Sequence, residues 1–193
     1  MTMRRHVLLA TMVLLAGCAT TDPDITVLHR IPHGGTVAVV PFQDCAVASD
    51  ADCAGSGATA GSIFVRVLSE RPGLHAVALP RPVGADAQLT DAAAVAYASK
   101  KGYRYVINGE IQDYHRTGHL AMHADRVGVA VRVLSVKNGQ ALTTYTYQED
   151  SKTHFTSPDD MLEDMAKQLA TSIAVEPKRQ KQGDFMIYKP SGG

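Results

Sequence analysis

A chain of 193 residues with 45% hydrophobic and 20% charged residues can build one packed domain with a short leader, but not several domains. Its 19 Lys and Arg residues balance 19 Asp and Glu residues, so the net charge gives no reason to bind nucleic acid or an anionic membrane surface.

The chain starts with a basic pair, Arg4 and Arg5, followed by an apolar run from Val7 to Ala16. That run is about half the roughly 20 residues a membrane-spanning helix needs, a length that suits a signal peptide. It ends in Leu15-Ala16-Gly17-Cys18, which resembles the lipobox of bacterial lipoprotein precursors at every position. The resemblance implies cleavage before Cys18 and lipidation of Cys18, with the acyl chains as the membrane contact; each buried methylene contributes about 0.8 kcal/mol. Ala19 rather than Asp follows the cysteine, which by the enterobacterial sorting pattern implies the periplasmic face of the outer membrane. Removing residues 1–17 takes away Arg4 and Arg5 and leaves 17 basic against 19 acidic residues, a net charge near −2. The next stretch, to Gly35, is polar, contains Pro23, Pro32 and Gly34-Gly35, and has no sustained periodicity. It reads as a tether, so the expected organisation is a signal peptide over 1–17, a lipidated tether over 18–35, a domain over 36–175 and a polar tail over 176–193.

Thr36 to Phe42 is a β-rich run of the kind buried on both sheet faces, limited by Pro41, which cannot donate to a central ladder. A loop with Cys45 and Cys53 follows. In an oxidising compartment that pair predicts a disulfide, because no second Cys or His pair lies nearby to complete a metal site. The glycine-rich Gly55 to Ser62 leads into a helix over about 59–70, with Ala60, Ile63, Phe64, Val67 and Leu68 on one face. Its spacing and its lack of a P-loop lysine predict close packing rather than a phosphate cradle. Arg71-Pro72-Gly73 ends the helix, and Leu74 to Leu79 reads as a second strand, completing a right-handed βαβ crossover. An Ala-rich helix over 91–101 is framed by Thr90 as cap and Gly102 as the left-handed terminator.

The second half alternates with period two. Tyr103, Tyr105, Ile107 and Ile111 share one strand face, and Val127, Val129, Val131 and Val133 line another. Asn138-Gly139 predicts a two-residue hairpin turn into a strand over 141–149. Ser157-Pro158-Asp159-Asp160 announces a last helix with a capping box, its apolar stripe running through Leu162, Met165, Ala166, Leu169 and Ile173. The expected fold is therefore α/β (α+β), a single mixed sheet in the order βαβαβββα with helices packed on it.

His115, His119 and His123 recur every four residues and would share one face of a helix, where they could bind zinc. Gly118 and the flanking strand patterns predict a hairpin loop instead, which leaves these histidines as weak metal candidates. No nucleophile elbow, zincin motif or close carboxylate pair is readable, so neither an enzyme nor a cofactor is expected.

Three patterns carry a family resemblance: Val37-Ala38-Val39-Val40-Pro41-Phe42, Gly102-Tyr103-Arg104-Tyr105-Val106-Ile107-Asn108-Gly109-Glu110-Ile111, and Val131 through Leu142. Behind a lipobox, they resemble the periplasmic α/β module shared by curli-secretion-type lipoproteins, penicillin-binding-protein activator lipoproteins and the amino-terminal domain of TolB. The resemblance spans about 36–173 and implies a protein-binding or ring-forming scaffold, with envelope proteins or further copies of the chain as partners. A curli-type pore needs membrane-spanning strands of about 9–11 residues, and the short insertion from Arg116 to Ala124 does not supply them. A small non-spanning ring lipoprotein such as that of Pel polysaccharide secretion fits by size, although the chain has no Trp and no matching motif. The expected function is that of a lipid-anchored, periplasm-facing accessory or assembly protein acting by protein contacts. The alternatives are a ring-forming export subunit and a metal-binding or enzymatic lipoprotein using the His115–His123 loop.

Overall fold

The structure, a computed structural model, describes residues 22–46, 51–116, 124–151 and 156–175. Six strands form one mixed sheet: β1 (Asp24–Val27), β2 (Gly35–Val39), β3 (Leu74–Ala78), β4 (Tyr105–His115), β5 (Arg126–Ser135) and β6 (Ala141–Asp150). Among the described residues three α-helices accompany them: α1 (Ser56–Glu70), α2 (Asp91–Lys100) and α3 (Pro158–Ile173). From β2 onward the element order is the expected βαβαβββα.

The strands lie in the order β1-β6-β5-β4-β2-β3, with β2 parallel to both β3 and β4 and the remaining pairs antiparallel. From β2 the chain steps outward to β3, then back across β2 to β4. Crossovers of one hand in opposite directions place their helices on opposite faces of the sheet. Accordingly α1 packs with α3 on one face, over Val37, Val39, Ile107, Val129 and Val131, while α2 covers Ala38, Val40, Val106 and Leu134 on the other. All three helices begin where β2, β3 and β4 end. That end is called upper here, and the opposite end lower.

The helix starts follow local chemistry. Thr90 Oγ1 accepts from the Ala93 amide, and Ser157 and Asp160 form the expected capping box with Pro158 in the first turn. The five stripe residues of α3 are all buried. α1 begins three residues earlier than its pattern indicated, at Ser56, with Ser56 and Gly57 themselves buried.

Three features depart from the sequence reading. The stretch expected as a tether contributes β1, which pairs with β6, and Ile31, which is buried and bridges Ala174 beside the end of α3. The folded domain therefore begins near Asp24, because Ile25 and Ile31 have core to cover. The turn after β5 is also not a two-residue one: Gly139 N donates to Ser135 O and Ser135 N to Gln140 O, closing a four-residue loop in which Gly139 has φ 70°. Finally, Tyr103 precedes β4 and packs toward α2, away from Ile107 and Ile111. A bulge between Ile111 and Asp113 then shifts the alternation, so that Ile111 and Tyr114 both face the core.

Candidate functional site

The upper end holds the loop with the cysteine pair. Beyond Val39 the chain continues alongside β4: Gln43 N donates to Gly109 O and Ile111 N to Gln43 O. This delivers Asp44 to the start of α1, where its carboxylate accepts from Gly55 N at 2.8 Å and Gly57 N at 2.7 Å. Those are amide donors that a glycine-rich turn would present to a phosphate. Here the protein's own carboxylate uses them. Gly57 is required by proximity, since a Cβ there would overlap the Phe42 carbonyl oxygen.

Cys45 and Cys53 are joined in a disulfide with a Cα–Cα separation of 5.2 Å, and both are buried in the main core. The bond folds the loop back against Ser56. Arg81 ties the following loop down by donating to the carbonyls of Pro41, Gly84 and Ala87. Burial lowers the pKa of this guanidinium, and the charge of Asp44 works against that shift.

Two further polar groups were not found by sequence reasoning. Asn108, 1% exposed, donates to Leu89 O and to Asp91 Oδ1, each at 2.9 Å, and Arg132 Nε donates to the same Asp91 oxygen at 2.8 Å. They join the start of α2 to β4 and β5. On the other face of the sheet, the Tyr114 hydroxyl donates to Asp159 Oδ1 at 2.7 Å while Arg116 donates to the Tyr114 oxygen and pairs with Asp159. Burial, then the hydrogen bond to Asp159, push the Tyr114 pKa up to about 12. An Asn inside an apolar strand and a Tyr-x-Arg at a strand end were the available signals. Both partners lie far away in sequence.

Of the expected site residues, Cys45 and Cys53 come together. His115 sits exposed at the end of β4, and His119, His123 and Cys18 lie outside the described residues. Among the described residues no group of three His, Cys, Asp or Glu side chains is placed to hold a metal ion.

Charge is divided between the two ends. Carboxylates such as Asp44, Asp52, Asp91, Asp113, Asp159 and Asp160 belong to the upper end, where the helices begin. Arg71, Lys100, Lys101, Arg104 and Lys137 belong to the lower one. Among the described residues no helix covers Thr144, Thr146 and Gln148, which are exposed on the α2 side of β6.

No protein-family model and no curated protein sequence matches the chain. Solved structures do. The PelC dodecamer of Paraburkholderia phytofirmans is similar at a TM-score of 0.62 and 20% identity, over 80% of this chain and 99% of that one. Lipoprotein GNA1162 of Neisseria meningitidis reaches 0.42 at 14% identity, over 72% of this chain and 97% of that one. The LpoB C-terminal domain of Salmonella enterica reaches 0.36 at 11% identity, over 64% and 86%. Of these three only the first exceeds 0.5, and at 20% identity it shows a shared fold: this chain has the α/β fold of the PelC protomer, with nearly the whole of that chain matched.

Proposed function

We propose that this chain is a lipid-anchored accessory protein of the cell envelope that works by contact rather than catalysis, as a subunit of a homo-oligomeric ring in an export system. The observation that carries this reading is the fold likeness to a dodecamer-forming protein over 99% of that protein's chain. Leu15-Ala16-Gly17-Cys18 supports the anchor. With β1 starting at Asp24, little chain is left for a tether: from Cys18 to Asp22 the reach is about 14 Å when fully extended. The domain is then held against the bilayer, where anchored copies meet at high local concentration.

Native mass spectrometry of the mature chain in detergent tests the ring. A discrete species of many copies is expected, and a monomer across the accessible concentration range would overturn it. The anchor is tested separately by Cys18→Ser, which should leave the membrane fraction while the domain still folds.

A further inference from the structure

The sheet ends on β3, and among the described residues nothing pairs with its outer edge. Leu79 N donates to Val39 O, so by alternation the N–H and C=O groups of Ala76 and Ala78 point away from β2. The Ala76 oxygen is approached by Ser69 Oγ at 3.3 Å, but that hydroxyl gives its hydrogen to Val65 O at 2.7 Å. Leu74 and Ala76 pack under α1, which leaves Val77 on the α2 side of the sheet, 36% exposed. Open edges of this kind are templates for further strands, and proteins blunt them with charge, proline, bulges or short length. The opposite edge is blunted, since β1 has four residues and opens on Asp24. β3, Leu-His-Ala-Val-Ala, has no lysine, proline or acidic residue, and its ladder with β2 has no bulge.

The end of α3 directs the chain toward that edge. Ala174 bridges Ile31 in the parallel sense, so the chain leaves α3 in the direction Ile31 takes toward Gly34. Gly34 N in turn donates to Gly73 O at 2.8 Å, one residue before β3 begins. The described residues end at Val175, itself 41% exposed, and residues 176–193 follow. Among those, Phe185-Met186-Ile187-Tyr188 is the apolar, β-prone run, set between Gly183-Asp184 and Pro190. The stretch 176–184 spans up to about 30 Å, whereas β3 is about 17 Å long, so the run can lie on the edge in either direction.

We infer that residues 185–188 of the same chain dock on the outer edge of β3 as an added strand. Main-chain hydrogen bonds to Ala76 and Ala78 supply the attachment, the usual basis of strand addition. Alternation sets two of the four large side chains beside Val77 and the other two on the α1 side, beside Ala76 and Ala78. Lys189 and Pro190 come directly after the run. They give the new edge the charge and the missing donor that β3 lacks. The tail of the same chain is held within reach, so it outcompetes a second copy at ordinary concentrations. Docked there, it closes β3 to strands from other molecules. The inference rests on neither the ring nor the anchor.

Hydrogen exchange at the Ala76 and Ala78 amides, compared between the full mature chain in detergent and a chain ending at Pro177, tests it. Exchange at both amides is expected to be about tenfold faster in the shortened chain. Met186→Pro with Ile187→Pro removes two adjacent donors and should have the same effect. The amide of Val39, inside the sheet, should be unchanged. Equal exchange at Ala76 and Ala78 in the full and shortened chains would overturn the inference: fast exchange would mean an open edge, slow exchange a cover from another molecule. Val77→Cys is then combined in turn with Phe185→Cys, Met186→Cys, Ile187→Cys and Tyr188→Cys, and the oxidised products are weighed under denaturing conditions. Linkage within a single chain is expected at alternate positions of the four. Products of two chains would overturn the inference in favour of a neighbouring copy's tail, and linkage at none of the four would overturn it as well. Thermal melting checks that the shortened and proline-bearing chains fold; where either does not, the cysteine series, made in the full chain, decides.

Discussion

The Asp44 carboxylate closes the start of α1, with Oδ1 2.7 Å from the Gly57 amide nitrogen. The helix has no side-chain cap of its own, because Gly55 occupies the N-cap position. A residue from the preceding loop therefore does the capping across a tertiary contact, and its negative charge sits at the positive end of the helix dipole. Asp44→Ala should lower unfolding stability by about 1–2 kcal/mol, and Asp44→Asn by less, since the amide keeps one of the two acceptor oxygens while losing the other and the charge. Urea denaturation of the two variants side by side checks the order. Equal losses would mean that the charged carboxylate, and not a single retained acceptor, supplies the whole effect.

The disulfide acts on the same helix end. Joining Cys45 to Cys53 shortens the unfolded chain's freedom by a small loop, worth about 2–3 kcal/mol in the chain-entropy model. Cys45→Ser with Cys53→Ser should lose that amount. Because Cys45 lies beside Ser56, with its backbone N–H 3.5 Å from Ser56 Oγ, the local consequence should fall on the first turn of α1. Hydrogen exchange is expected to rise around Ser56 to Ala60 and to stay unchanged near Glu70. Uniform loss of protection along α1 would show that the bond supports the whole helix instead.

The contrast between legible and hidden features has a common cause. Val127, Val129, Val131 and Val133 announced β5 because one covered face imposes period two along a single strand. α3 was equally plain, its cap and stripe both lying within one stretch of sequence. β1 was not legible: four residues with one inward isoleucine acquire meaning only from β6, more than a hundred positions later. Alternation with Tyr105 and Ile107 alone would put Asn108 on an open polar face, whereas α2 covers that face and Asp91 satisfies the amide. The turn at Gly139 was misjudged for the same reason. Arg104 O holds Val136 in place, and the loop must leave β5 from there. The Asp44 cap, too, spans a loop that no local pattern bridges.

Asp91 is shared by two donors, and removing it should cost more than losing a helix-terminal charge. Asn108 is 1% exposed and would keep only Leu89 O for its amide, while Arg132 would lose its partner in a half-buried position. Asp91→Ala should therefore destabilise by about 2–3 kcal/mol, the cost of leaving buried polar groups unpaired. The double variant Asp91→Ala with Arg132→Met should recover part of the loss, because the stranded cation is gone. A double variant no more stable than Asp91→Ala would assign the whole cost to Asn108. Thermal unfolding of the single and double variants separates the two.

Tyr114 gives the fold a dependence on alkaline pH with a defined sign. In the folded chain burial and the hydrogen bond to Asp159 raise its pKa to about 12, whereas an unfolded tyrosine ionises near pH 10. Between those values the unfolded chain has lost the phenolic proton and the folded chain still holds it. Unfolding is therefore favoured progressively as pH rises from about 10 to about 12, and the contribution of Tyr114 is fully present only below that window. Tyr114→Phe has no proton to lose, so its stability should fall less steeply across the same range, although it starts lower for want of the bond to Asp159. Asp159→Asn removes the charge that disfavours the phenolate and should bring the Tyr114 titration to lower pH. Ultraviolet absorbance of the phenolate against pH reads the titration directly, and denaturation at neutral and alkaline pH reads the linkage. Identical pH slopes for the parent chain and Tyr114→Phe would show that another group governs alkaline unfolding.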